Sequence, residues 1–193
     1  SKLRLSSPDS MILPQKVGIH CQLIQSNALR NMAVMDDKNV HGYKISSSFN
    51  KVSVLHLQDI DIQQLFHYDK ETETNDTDHQ ETKFLCDPLE VNNISVMSFQ
   101  TDDVIEEEFE LVVKENGTAH GIVYWLTQDY GWGVSVSNYN PNGSQFKDSG
   151  DLCDRKQAAI MFNSPIPVAK NDTLNFTFLH RNGLIDFVMK SDI

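Results

Sequence analysis

Lys16-Val17-Gly18-Ile19-His20-Cys21-Gln22-Leu23 sets apolar Val17, Ile19, Cys21 and Leu23 against Lys16, Gly18, His20 and Gln22. Side chains alternate across a strand, so this period of two predicts a β-strand with one wet face. The same period recurs outward from it. Phe109, Leu111 and Val113 alternate with Glu108, Glu110 and Lys114, and Trp132, Val134 and Val136 with Gly133, Ser135 and Ser137. Leu174, Phe176 and Phe178 face away from Asn175 and Thr177, and Ile185, Phe187 and Met189 repeat the pattern. Gly121 to Leu126 and Ala158 to Phe162 are more continuously apolar, as expected of strands buried on both faces.

Turn chemistry agrees with the strands. Asn182-Gly183 lies between two alternating runs and predicts a hairpin, because a type I′ turn needs positive φ at both central residues. Asn116-Gly117 carries the same signal between the strand of Phe109 and that of Trp125, and Asn140-Pro141-Asn142-Gly143 opens a polar loop reaching Asp151. Asp59-Ile60-Asp61, followed by Ile62, Leu65 and Phe66 at helical spacing, predicts one short helix around Asp61 to Phe66. Asp69 to Lys83 has no apolar residue and is expected to be a long, disordered acidic loop. The expected fold is therefore mainly β: a single antiparallel β-barrel-like domain over residues 1–193.

Charge and composition exclude several functions. Sixteen Lys and Arg against 27 Asp and Glu give a net charge of −11, which repels phosphate backbones and argues against nucleic-acid binding. The longest apolar run, Ile122 to Leu126, is far shorter than the ~20 residues of a membrane span, so no membrane partner is expected. The opening Ser1-Lys2-Leu3-Arg4-Leu5 has neither an initiator Met nor a signal-type core and reads as the start of a piece of a longer chain. Cys21, Cys86 and Cys153 are widely spaced and odd in number, which fits a reducing compartment, cytoplasmic or nuclear. Six N-x-S/T sequons, at Asn75, Asn93, Asn116, Asn142, Asn171 and Asn175, keep open a secreted, glycosylated β-sandwich. A purely oligomerising module is the other alternative.

No complete site emerges from the residues themselves. Tyr130-Gly131-Trp132-Gly133 is expected to open a strand, its glycines admitting close packing beside Trp132, and so offers no phosphate cradle. The seven His residues are scattered without metal-ligand spacing, and His79 with Asp76 and Asp78 suits a solvated loop better than an ion site. Asp102, Asp103, Glu106, Glu107 and Glu108 would need a dry setting for paired-carboxylate chemistry and read as a solvated face able to attract Arg- or Lys-rich ligands. Cys153 stands beside Arg155 and Lys156, but Asp151 and Asp154 oppose thiolate formation there.

From Met11 to Ile193 the chain resembles the C-terminal barrel half of protein arginine methyltransferases, most closely the C-terminal repeat of a tandem member. Met11-Ile12-Leu13-Pro14 resembles the crossing into the barrel, Val40 to Ser46 the dimerisation-arm segment, and Asp59-Ile60-Asp61 an acidic stretch before the barrel's return. Ala119-His120-Gly121-Ile122-Val123-Tyr124-Trp125 is similar to the family's His-small-x-x-aromatic strand. Lys156-Gln157, Ser164-Pro165-Ile166-Pro167-Val168 and Asn171-Asp172-Thr173-Leu174 follow in matching order. The resemblance implies a parent enzyme that moves methyl from S-adenosylmethionine to arginine in proteins. It implies upstream methyltransferase domains and an Arg-rich protein substrate as partners.

Where the family's barrel carries a Thr-His-Trp loop, this chain has Cys153, Asp154 and Arg155, a degenerate counterpart. The family's donor motifs and paired-Glu loop have no counterpart here. Catalytic, cofactor-binding and metal residues are therefore all expected to be none, and this stretch alone is expected to be inactive, because methyl transfer needs donor and guanidinium in near-attack geometry.

Overall fold

The computed structural model describes residues 11–33, 54–62, 65–66, 82–98, 103–139 and 156–190. In chain order these form β1 (Lys16–Gln25), α1 (Asn27–Ala33), β2 (Val54–Ile60), β3 (Lys83–Phe84), β4 (Leu89–Ser95) and β5 (Ile105–Val112). β6 (Gly117–Gly131), β7 (Val134–Ser137), β8 (Gln157–Val168), β9 (Thr173–Arg181) and β10 (Leu184–Met189) follow. The described fold is mainly β, and every strand pairing in it is antiparallel.

A seven-stranded sheet runs β2-β8-β6-β1-β3, with β4 also on β1 and β7 also on β6; a three-stranded sheet runs β10-β9-β5. The sheets lie face to face, as alternating strands require when each buries one apolar face. Between them pack Ile19, Cys21 and Leu23 of β1, Ile122 of β6, Ile160 of β8, Leu111 of β5, Phe176 and Phe178 of β9 and Phe187 of β10. Each such side chain contributes about 1.5–3 kcal/mol on leaving water. The Cys86↔Val113 bridge joins the layers at one corner, which gives the barrel-like outline; the described residues do not close a full barrel.

β1 differs from its sequence reading. Along its second face Lys16 is exposed and His20 half-buried, whereas Gly18 is buried, Gln22 is 4% exposed and Ile24 0%. A second core covers that face, where Ile24, Val123, Trp125, Ala159 and Met161 meet Leu29 of α1 together with Ile62 and Leu65. β6 and β8 are sandwiched between the two cores, so their continuous apolar runs are explained.

Of the expected helix around Asp61 to Phe66, the described residues Ile62, Leu65 and Phe66 are helical, and the Leu65 N–H donates to the Asp61 carbonyl at 3.4 Å. α1 was not anticipated. Ser26 starts it as N-cap, its Oγ accepting from the Leu29 N–H at 3.3 Å, ahead of the helix formers Ala28, Leu29, Arg30, Met32 and Ala33. The acidic loop lies outside the described residues except at its end, where Thr82 is buried and Lys83 opens β3.

Asn182-Gly183 forms the expected turn, with φ of 52° and 77°, between β9 and β10. Asn116-Gly117 does not close a hairpin, since β5 and β6 belong to different sheets. It is instead a crossover in which Gly117 admits close packing: a Cβ there would lie 2.6 Å from Gln25 Oε1. Trp132-Gly133 is likewise no strand opening. With φ of 52° and 78°, these two residues are the turn between β6 and β7.

Cys21 and Cys86 are both free thiols in the inter-sheet core. Burial, and then the nearby Cys86, holds the Cys21 pKa well above its ordinary value. Burial pushes Cys86 up to about 11 against the Leu23 N–H, which donates to its Sγ at 3.1 Å.

Two predictions follow from these placements. A Cβ on Gly121 would lie 2.5 Å from the Ile160 carbonyl oxygen, so Gly121→Ala should cost about 3 kcal/mol by urea denaturation; Gly133→Ala, strained only by its φ of 78°, should cost about 1 kcal/mol. A raised thiol pKa leaves stability intact below the ordinary value of 9.0 and removes it as pH rises towards 11. Denaturation midpoints should therefore be flat for this linkage up to about pH 9 and fall above it, less steeply in Cys86→Ala.

Candidate functional site

Among the described residues, the second face of the large sheet is covered at one end and open at the other, and the register names what the open end presents. Residues paired across a ladder share a face. One row is Glu90, His20 and Trp125; the next is Asn93, Gly18, Thr127 and Ser137; the last is Ser95, Lys16, Asp129 and Ser135. His20 stacks on Trp125, with ring centroids 5.7 Å apart and planes at 11°. Tyr139 meets the same indole edge-on at 5.0 Å, so Trp125 marks where the second core ends. Beyond it the face is polar.

Gly18, in the middle of these rows, is buried beneath the His20 and Glu90 side chains. A Cβ there would stand 3.3 Å from His20 Nε2 and 3.5 Å from Glu90 Oε1. Glu90 Oε1 also accepts from Asn93 Nδ2 at 2.7 Å, and Thr127 Oγ1 donates to Ser137 Oγ at 3.3 Å. Burial lowers the His20 pKa against the opposing pull of the Glu90 carboxylate, so the ring favours its neutral form.

An apolar rim borders this surface. The Gln15 N–H donates to the Asp129 carbonyl at 2.7 Å, and the Gln15 carbonyl accepts from the Val96 N–H at 3.0 Å. The segment before β1 therefore runs between the turn after β4 and the β6–β7 hairpin. Exposed Met11, Leu13, Met97 and Trp132 come from these three pieces, and Trp132 is 78% exposed at the turn. Exposed apolar side chains gathered around polar rows suit binding of a polypeptide.

The sequence candidates fall elsewhere. Cys153, Asp154 and Arg155 lie outside the described residues, as do Asp76, Asp78, His79, Asp102 and the segment Val40 to Ser46. Asp103, Glu106, Glu107 and Glu108 are exposed on or beside β5, without the dry setting that paired-carboxylate chemistry needs. Glu108 forms an ion pair with Lys190. Glu106, Glu108 and Glu110 share the face of β5 turned away from the core and give that strand a strongly negative field. No group of three or more His, Cys, Asp or Glu among the described residues could hold a metal ion.

Of the sequon residues, Asn116 and Asn171 serve turns: Asn116 Oδ1 accepts from the Lys170 N–H at 2.7 Å, and Asn171 has φ of 74°. Asn175 sits within β9, as its alternation predicts. Sequence reasoning missed the apolar rim, because its members come from three separated stretches. Hydropathy alone gives no sign that they meet.

No protein-family model matches this sequence, and no curated protein is similar to it in sequence. In three dimensions the chain is similar to a chain of the Trypanosoma brucei PRMT1 enzyme-prozyme heterotetrameric complex with AdoHcy. The TM-score is 0.61, with 9% identity, over 97% of this chain and 57% of that chain. At that identity the likeness is one of fold, and this chain spans little more than half the length of its structural neighbour.

Proposed function

We propose that this chain is the barrel half of a protein arginine methyltransferase, of the kind found as the second, C-terminal repeat of protein arginine methyltransferase 9, and that it acts there as a non-catalytic support. The observation that carries this is the fold likeness over 97% of the chain to just 57% of a chain in the PRMT1 enzyme-prozyme complex. The order of motifs from Met11-Ile12-Leu13-Pro14 to Asn171-Asp172-Thr173-Leu174 points the same way.

In this account upstream domains of the same chain hold S-adenosylmethionine, and the parent enzyme transfers its methyl group to an arginine nitrogen. The neighbour's complex contains AdoHcy, which suits such a donor. The open end of the large sheet, with its rim of Met11, Leu13, Met97 and Trp132, faces those domains. Glu106, Glu108 and Glu110 of β5 draw Arg-rich substrate segments by long-range attraction. Cys153, Asp154 and Arg155, standing in place of Thr-His-Trp, contribute no arginine-binding loop.

Free Cys21 and Cys86 support a cytoplasmic or nuclear setting. Exposed Asn93, Asn116 and Asn171 favour one second reading, a secreted glycosylated module. Expression through a secretory route separates the two: a glycosidase-sensitive mass increase on the folded chain supports the second.

Incubating the chain with S-adenosylmethionine and an Arg-rich peptide should give no methyl transfer and no donor binding. The peptide itself should bind in a salt-sensitive way, about 3–10-fold more weakly to a Glu106→Gln/Glu108→Gln/Glu110→Gln variant. Methylation above background or measurable donor binding overturns the non-catalytic role. Equal peptide binding by the variant overturns the role of β5.

A further inference from the structure

The small sheet ends on β10, which among the described residues pairs with β9 alone. The Lys190 N–H donates to the Asn175 carbonyl at 2.9 Å, and the register carries that pattern back to Leu184, so every second residue of β10 turns its backbone groups towards β9. Ile185, Phe187 and Met189 turn theirs outwards. At the middle of this edge the Phe187 N–H donates at 2.8 Å to Oδ1 of the adjacent Asp186 rather than to a further strand. One carboxylate thus occupies the central donor of an edge that another chain could extend.

The outer face of the same strand defines what could lie beside it. Leu184 is 71% exposed and Val188 45%, with half-buried Asp186 between them. Across β9, Asp186 shares its row with Glu106, both opposite Leu179. Glu108 and Glu110 follow in the next two rows. The cations of these rows are Arg181 and Lys190, and Lys190 is paired with Glu108. Four carboxylates against two cations leave the face negative.

A strand laid along β10 places one side chain opposite Asp186 and those two residues away opposite Leu184 and Val188. The complement is therefore Lys or Arg flanked at i−2 and i+2 by apolar residues. A second copy of β10 fits poorly. In an antiparallel pairing centred on Phe187 the two Asp186 carboxylates take diagonal positions on one face, and each chain carries a net charge of −11.

We propose that the β10 edge is a docking site for an extended basic segment of a partner polypeptide, added to the small sheet as a fourth strand. Asp186 is its latch. On docking, the carboxylate leaves the Phe187 N–H for the partner's cation, and a partner carbonyl takes up that N–H. This docking does not depend on a methyltransferase parent.

The test titrates the chain with an end-blocked peptide, Thr-Val-Thr-Lys-Thr-Val-Thr, and with its counterpart carrying Glu for Lys, at matched ionic strength. Backbone amide resonances and hydrogen exchange are followed together. The Lys peptide should shift the Ile185, Phe187 and Met189 amides saturably, slow their exchange, and bind about fivefold more tightly than the Glu peptide. Asp186→Asn keeps an acceptor for the Phe187 N–H without the charge, and should erase that preference. Met189→Pro removes one outward N–H, which an edge strand tolerates, and should weaken the Lys peptide about 3–10-fold.

Shifts centred on β5, no shift on β10, or equal binding of the two peptides overturns the docking site. An unaltered preference in Asp186→Asn does the same. So do shifts of the three amides with chain concentration in the absence of peptide, which would give the edge to a second copy. Should Met189→Pro fail to fold, the comparison with Asp186→Asn still decides the matter.

Discussion

The pairing of β1 with β6, from Lys16↔Asp129 to Ile24↔Gly121, is the constraint from which the rest of this structure follows. Both strands carry apolar side chains on both faces along part of their length. Ile19, Cys21, Leu23 and Ile122 face the small sheet, whereas Ile24, Val123 and Trp125 face α1 and the turn at Ile62 and Leu65. A strand pair of this kind cannot remain in water on either side, so it requires two covers. β5, β9 and β10 provide one. The short helical pieces provide the other, and they reach only as far as Trp125.

That limited reach creates the open end. Where the helical cover stops, β1 and β6 change from Ile24 and Val123 to Gly18, Lys16, Thr127 and Asp129, and the face becomes polar. The β6–β7 turn carries Trp132 past the last row, and the segment entering β1 brings Met11 and Leu13 beside it. A polar floor with an apolar rim is thus a consequence of how far the second core extends.

Alternation made β5, β9 and β10 legible in the sequence, because each has one dry and one wet face, and Asn182-Gly183 carried its turn unambiguously. β1 was legible as a strand but not as a two-faced one. Gln22 is polar by letter and buried in fact, its Nε2 donating to the Cys86 carbonyl at 2.9 Å, and a one-residue reading cannot anticipate that partner. α1 escaped because only seven residues form it, with Ser26 as its single clear start signal. Trp132 read as an inward strand residue because a β6–β7 turn and a continuing alternation share the same letters; positive φ at Gly131, Trp132 and Gly133 decides between them. The candidate site was least legible of all, since its rim and rows are assembled from β1, β4, β6 and β7 by register alone.

Amide hydrogen exchange tests the dependence on the β1–β6 pair most directly. Amides of Ile19 to Ile24 and Ile122 to Trp125 should be the slowest in the chain and should exchange only through global unfolding, at matching free energies. Exchange of these amides ahead of those in β9, or with the two strands opening independently of each other, would contradict a fold built around one doubly covered ladder.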